Sequence, residues 1–392
     1  MKIAYFSVYR DGTGYSQAAL DNILCMESAG LDVVCRPIRL SNPGKSISSC
    51  KVEHLEKKSL NDIDVIIQHC LPHFFERKNG VKNIGIFDWE TSDFKKSIWA
   101  EKLNDMDEIW VPCIQNKYAA INSGVIKPIK IVNHSCDLKR YEQKKEKIKI
   151  EILNGKCVFY FIGEFVRRKN VAGLIRAYYA AFSSNDNVSL VIKTSIPGMS
   201  PEKSCEAVKK MISDIRSATH IHADNKNYPP VVVITEKLSE EQLNNLHASC
   251  DIFVSASHGE GGNLGAMDAM GFGNPVILTN WGFHPELCYE QAESYWKPDK
   301  EMFIHPGDVN CGWLIPGHLT YCFGMNGLSD LYTGSEKWFD PNMVEFSKIL
   351  RNSYEVWKCG LSDMGKSARK RIESFSYDTI GKQIKNIIEG KL

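Results

Sequence analysis

Short apolar runs rich in Val, Ile and Phe recur along the chain, separated by longer segments with apolar positions at helical spacing. In the first half the runs are Ile3–Val8, Asp32–Pro37, Val65–His69, Ile84–Phe87, Ile109–Pro112 and Ile129–Asn133, with helix candidates such as Ser16–Ala29 and Ser97–Leu103 between them. In the second half they are Val158–Ile162, Ser189–Thr194, Val231–Ile234, Ile252–Ser255 and Pro275–Leu278. Strands that read as continuous apolar runs, rather than as alternation, are covered on both faces, as in parallel sheets flanked by helices. Two such series in succession predict an α/β protein of two Rossmann-like, doubly wound parallel-sheet domains.

The most Lys-rich and charged stretch, Asp137–Leu153, follows the last run of the first series. It predicts a solvated surface segment and a boundary there, with a first domain over 1–145 and a second over 146–376. Residues 301–342, rich in Gly, Pro, Trp and Tyr with weak periodicity, read as an irregular insert before the final helices. The tail Tyr377–Ile388 has apolar residues at 380, 384, 387 and 388, the stripe of an amphipathic helix.

Composition narrows the classes. A chain of 392 residues that is 43% hydrophobic and 24% charged is an ordinary globular protein. At roughly 100–200 residues per domain it is long enough for the two that the pattern predicts. Lys plus Arg (48) against Asp plus Glu (47) leaves a net charge of +1, without the basic excess of a phosphate-tracking protein, so nucleic acid is not expected as a partner. No apolar run reaches the ~18 residues of a membrane span, and the opening MKIAYFSVY is an apolar strand too short for a signal peptide. The 13 cysteines stand singly, without a C-x-x-C pair, and several lie in strand-like runs. Buried, reduced thiols and a cytoplasmic location follow. No cluster has metal-ligand spacing, so no metal is expected.

The chemistry concentrates in Ser255–Ile277. There a strand ends in a glycine-bearing loop, Gly259-Glu260-Gly261-Gly262, and a helix starts near Asn263. Glycines let a ligand approach the backbone, and the free amides at a helix start favour an anion. Glu260 in the loop and Asp268 in the second helical turn frame this place and could hold different parts of one ligand, since carboxylates accept hydrogen bonds from vicinal hydroxyls. A capping acid beside a tight strand-to-helix turn is the bland alternative. Arg167-Arg168-Lys169 stands just after another apolar strand and before a helix, a position suited to meeting anionic charge.

These residues resemble the E-x7-E signature of nucleotide-sugar-dependent glycosyltransferases with two Rossmann-like domains, the GT-B architecture, and specifically the large retaining family 4, the glycosyl transferases group 1. The pattern here is Ser257, then Glu260-Gly261-Gly262-Asn263-Leu264, then Asp268-Ala269-Met270-Gly271-Phe272-Gly273-Asn274-Pro275-Val276-Ile277, followed by Gly282-Phe283-His284-Pro285-Glu286. Phe161–Asn170 with Leu174 and Ala177 resembles the strand, loop and helix that carry the diphosphate-binding Arg and Lys. Trp89–Thr91, Asp107–Pro112, Ser123–Val125, Val132–Asp137, Gly312–Ile315 and Phe375–Tyr377 match further family elements in order. Two departures stand out: Glu164 follows the glycine of the diphosphate loop where the family often has Arg, and the second acid is Asp268 rather than Glu, so that ribose contact would need a closer helix or a bridging water.

The resemblance implies a retaining, metal-independent hexosyltransferase with an open cleft between its domains and no cofactor beyond its nucleoside-diphosphate-sugar substrate. The donor would be a UDP- or GDP-sugar, and the acceptor a glycan or lipid-linked glycan, in polysaccharide or glycoconjugate biosynthesis, with peripheral contact at the inner membrane face left open. It assigns catalytic roles to Lys169, Arg168 and Glu260, and donor contacts to Gly14, Gly163, Arg167, Lys169, Glu260, Gly261, Gly262, Asn263, Leu264 and Asp268. Which of Arg167 and Arg168 meets the diphosphate is open. His69 and Glu90 are acceptor-side candidates, and the helix at 377–392 would pack back on the first domain. A GT-B epimerase and a non-catalytic nucleotide-sugar or glycan-binding module are the rival readings.

Overall fold

The computed structural model describes residues 1–38, 50–142, 146, 148, 151–303, 309–325 and 331–391. Six strands form a first parallel sheet: β1 (Lys2–Ser7), β2 (Asp32–Pro37), β3 (Val65–His69), β4 (Lys82–Ile86), β5 (Glu108–Val111) and β6 (Ile129–Ile131), in the order β2-β1-β3-β4-β5-β6. A second parallel sheet contains β7 (Cys157–Ile162), β8 (Val188–Lys193), β9 (Val231–Ile234), β10 (Ile252–Ser255) and β11 (Val276–Thr279). After a two-residue pair, β12 (Trp296–Lys297) and β13 (Met302–Phe303), the strand β14 (Gly312–Ile315) completes it in the order β14-β11-β10-β7-β8-β9. Every strand run expected from the sequence is present within one or two residues, because the inner strands are buried on both faces and the apolar run is the whole strand; the edge strands β6 and β9 are half-buried. The fold is GT-B: two Rossmann-like sheets facing across a cleft.

Residues 301–342 correct the sequence reading. The segment supplies β14, an edge strand of the second sheet, and an antiparallel hairpin of β15 (Gly317–Tyr321) and β16 (Lys337–Pro341). Four- and five-residue strands interrupted by Gly and Pro are too short to show a period. The hairpin joins both halves of the molecule: the Lys337 carbonyl accepts from the Ser92 amide (2.7 Å), while the Phe339 amide donates to the His258 carbonyl (2.9 Å). The charged stretch near 140 departs too. Its described part includes a short helix, Lys139–Glu142, in which Tyr141 is buried, and a 3-10 turn, Glu151–Leu153, in which Leu153 is buried; residues 143–145, 147, 149 and 150 lie outside the described residues.

The terminal helix, Tyr377–Ile388, lies against the helix Gly14–Ser28 of the first sheet's layer. Ile380, Ile384, Ile387 and Ile388 join Ile23 and Met26 in one core. A side chain at Gly381 would meet the Cys25 carbonyl at 2.8 Å, so the two helices touch backbone to backbone there. Ile384 is fully buried, and Ile384→Ala is expected to cost about 2–5 kcal/mol. Urea denaturation reads this; a loss under about 1 kcal/mol would mean that the helix does not hold the first sheet's layer.

Candidate active site

Each sheet reverses its strand order once. In the first sheet the chain leaves β1 toward β2 and returns to lay β3 on β1's other side; in the second, β7 is flanked in the same way by β8 and β10. Loops at the carboxyl ends of strands diverge at such a point and leave a crevice for a ligand. The loop after β7 carries Arg167, Arg168 and Lys169, the loop after β10 carries Glu260, and that after β4 carries Asp88 and Glu90.

Glu260 is only 2% exposed and is gripped by two cations. Lys169 Nζ donates to both carboxylate oxygens (2.8 and 2.7 Å), and Arg168 Nη1 donates to Oε2 (2.9 Å) and to the Gly259 carbonyl (2.7 Å). Burial alone would raise this carboxyl's pKa; Lys169 and Arg168 outweigh it and hold the pKa down to about 2, so Glu260 is a carboxylate. Arg168 also reaches across the cleft, its Nη2 lying 3.2 Å from Glu90 Oε1. Glu90 Oε2 accepts from the Tyr332 hydroxyl (2.8 Å), and the Glu90 carbonyl accepts from Trp281 Nε1 (3.1 Å). Burial would lower the Arg168 pKa, but Glu90 and Glu260 drive it further up.

The local sequence explains why Arg168 rather than Arg167 faces Glu260. Arg167–Lys169 form one 3-10 turn that ends at Asn170, which is left-handed (φ 50°) and caps the next helix by accepting from the Gly173 amide (3.2 Å). Asn170 Nδ2 also donates to the Ala256 carbonyl (3.1 Å), tying the turn to the β10 loop. Arg167 leaves on the other side, its guanidinium 4.5 Å from the centre of the Phe323 ring.

Asn263 caps the helix Leu264–Gly271, its Oδ1 accepting from the Ala266 amide (3.1 Å), and its Nδ2 lies 2.8 Å from His284 Nε2. Leu264 packs against the core of the second sheet. Gly261 and Gly262 lie where the two halves meet closely. A Cβ on Gly261 would lie 2.5 Å from Asp88 Cβ, and one on Gly262 would lie 2.5 Å from His134 Cδ2, so no larger residue fits either position. Gly163 follows β7 with its amide on the Lys193 carbonyl (3.1 Å), and Gly14 opens the first helix with nothing within 4 Å of a Cβ placed there.

Asp268 already has two partners on one carboxylate oxygen. Its Oδ1 accepts from the Tyr141 hydroxyl (2.9 Å) and lies 3.0 Å from Arg140 Nη1, both on the short helix that follows β6. The charged stretch read as a solvated surface therefore supplies two partners to the signature's second acid. His69 is also placed differently from Glu90. It is fully buried at the end of β3, with Nδ1 2.7 Å from the Tyr5 hydroxyl, and burial depresses its pKa to about 4.

Two polar residues that the sequence reading did not single out stand beside His69. His134 Nε2 is 3.3 Å from Asp88 Oδ1, and both are largely buried. Burial would lower the His134 pKa and raise that of Asp88, but each charge outweighs burial at the other, so His134 is held above and Asp88 below its ordinary value. Both fall in non-repeating loop sequence, Phe87–Thr91 and Val132–Asp137, where no period marks a residue out. Among the described residues, no group of three His, Cys, Asp or Glu side chains could hold a metal ion, and no helix is long and apolar enough to cross a membrane.

Comparison with known proteins bears on this geometry. The family model described as glycosyl transferases group 1 matches residues 142–302, which include the Arg168–Lys169 turn, Glu260 and Asp268. No curated protein matches by sequence. Among solved structures, sucrose-phosphate synthase from Thermosynechococcus elongatus is similar over 100% of this chain and 98% of its own, at 14% identity and a TM-score of 0.60. HepE of Anabaena, in complex with UDP, is similar over 100% of both chains at 14% identity and a TM-score of 0.57. A Staphylococcus aureus TarM variant in complex with UDP is similar over 82% of this chain at 14% identity and a TM-score of 0.53; this chain spans 55% of its length. At such identities the structures speak for the fold. Residues 142–302 thus match the glycosyl transferases group 1 family model, and the chain that carries them has the GT-B fold.

Proposed function

We propose that the protein is a retaining glycosyltransferase that moves a sugar from a UDP- or GDP-sugar to a glycan or lipid-linked glycan. The observation that carries this reading is the Arg168–Lys169–Glu260 cluster at the second sheet's reversal, faced across the cleft by Glu90. Residues 146–376 would bind the donor and residues 1–145 the acceptor, with the terminal helix returning to the first unit. As the glycosidic bond breaks, the leaving diphosphate gains negative charge. Arg168, Lys169 and the amides that open the helix at Leu264 are preorganised to meet it, and groups fixed in advance need no reorganisation at that moment. Glu260 holds hydroxyls of the transferred sugar, and Asp268, steadied by Arg140 and Tyr141, holds the ribose. Retention follows if the diphosphate takes the acceptor's proton on the face it leaves, which requires no second carboxylate at glycosidase separation. Glu90 and His69 lie on the acceptor side. The reaction belongs in the cytoplasm, and at the inner membrane face where the acceptor is lipid-linked.

The test is release of nucleoside diphosphate from a panel of UDP- and GDP-sugars, with and without EDTA. Release that persists in the chelator is expected. Loss restored by manganese or magnesium would overturn metal independence. Tight donor binding with no release, alone or with a glycan panel, would favour a binding module, and a changed sugar on intact donor would favour an epimerase.

A further inference from the structure

Arg168 meets two carboxylates, one from each half of the molecule, and they are held unequally. Glu260, on the same half, accepts three hydrogen bonds of 2.7–2.9 Å from Lys169 and Arg168 and is buried. Glu90 comes from the loop after β4 of the other half. It touches Arg168 once, Nη2 to Oε1 at 3.2 Å, and its side chain is 17% exposed. Its Oε2 accepts from the Tyr332 hydroxyl (2.8 Å), and the Tyr332 ring stacks on Trp89 with centroids 5.2 Å apart. Trp281 Nε1 fixes the Glu90 carbonyl at 3.1 Å, and that carbonyl lies where a side chain on Gly259 would strike it. The backbone at Glu90 is thus clamped by the second half, and the part left to move is the carboxylate.

Charge decides what happens when an anion enters. Arg168 and Lys169 bring two positive charges and Glu90 and Glu260 two negative ones, so the cluster is balanced as it stands. A diphosphate laid on a balanced cluster would add buried negative charge without a counter-charge, which is strongly disfavoured. One carboxylate must therefore give up its cation. Glu260 would surrender three short bonds and is buried, whereas Glu90 surrenders one longer contact and has solvent to turn toward. Glu90 is the one that yields.

We propose that Glu90 is a displaceable counter-anion of Arg168. In the empty protein it occupies the guanidinium face that the donor's diphosphate takes, and its return after transfer drives the nucleoside diphosphate off. The inference rests on the glycosyl-transfer reading and adds to it a positioning residue that sets diphosphate affinity and release by acting through Arg168. Tyr332 tunes it by holding Oε2.

Calorimetry and stopped-flow displacement on the full chain, with UDP and with GDP, compare wild type with Glu90→Gln and Tyr332→Phe. Glu90→Gln keeps the size of the side chain and removes its charge. It is expected to bind the preferred diphosphate about tenfold or more tightly, with the gain mostly in slower dissociation. Tyr332→Phe keeps the charge but frees Oε2, so its gain should have the same direction and be smaller. Salt supplies a readout that a merely structural role would not move. In wild type one anion replaces another on Arg168, whereas in Glu90→Gln the diphosphate meets an unbalanced cation. The variant's affinity should therefore fall more steeply than wild type as sodium chloride rises from about 0.05 to about 0.5 M. A folded Glu90→Gln, checked by Tm, that binds no tighter or shows no steeper salt dependence would overturn the assignment and leave the glycosyl-transfer reading intact. Should that variant misfold, an unchanged or weaker diphosphate affinity in Tyr332→Phe overturns it instead. If wild type and both variants bind neither diphosphate, the glycosyl-transfer reading has failed and this inference with it.

Discussion

Replacing Lys169 by Ala is expected to lower turnover by a hundredfold or more while weakening nucleoside-diphosphate binding far less. Lys169 stands within 2.8 Å of both Glu260 oxygens, at the loop where the diphosphate would lie. An interaction that strengthens as the leaving group gains charge acts on kcat, whereas one made equally in the ground state acts on KM. Loss of one preorganised group of this kind costs on the order of 3 kcal/mol. The substitution also leaves Glu260 buried with Arg168 as its remaining cation, so part of any loss could be structural. Calorimetry with the free diphosphate separates the two: a disordered loop loses the ligand, whereas a missing catalytic charge does not. Steady-state kinetics with kcat intact would remove Lys169 from the mechanism.

The strands and the signature loops were legible in the sequence because each is a local pattern: apolar runs for buried strands, glycines and an acid at a strand-to-helix turn. What was not legible is long-range. Arg167 and Arg168 are equivalent in a linear reading; only the 3-10 turn and the left-handed Asn170 decide that Arg168 reaches Glu260 and Glu90 while Arg167 stacks on Phe323. The partners of Asp268 are Tyr141 and Arg140, more than a hundred residues upstream in a stretch whose charge suggested solvent. Tyr332, which steadies Glu90, comes from the hairpin connection that looked irregular because its strands are too short to show a period. Asp88 and His134 were hidden for a related reason. His134 lies in a segment that carried the family resemblance and Asp88 directly before one, but their significance comes from being buried together against two glycines of the opposite half.

Glu260→Gln should separate binding from transfer. The amide keeps the size of the side chain and removes the charge that now neutralises Lys169 and Arg168. With their carboxylate gone, the two cations face an incoming diphosphate less compensated than before, so affinity for the free nucleoside diphosphate should hold or increase. Transfer should fall steeply, because the amide cannot accept from sugar hydroxyls on both atoms as a carboxylate does. Hydrogen bonds to a charged group are each worth about 1.5–3 kcal/mol, and losing one or two of them predicts roughly a tenfold to several-hundredfold or greater drop in kcat. Asp268→Ala should behave in the opposite way, weakening the free diphosphate and the nucleotide sugar alike, since both carry the ribose. Calorimetry with the free diphosphate is the decisive measurement, because that ligand has the ribose and the phosphates but no transferred sugar. If Glu260→Gln abolishes its binding while Asp268→Ala leaves it unchanged, the two acids hold the opposite ends of the donor from those assigned to them.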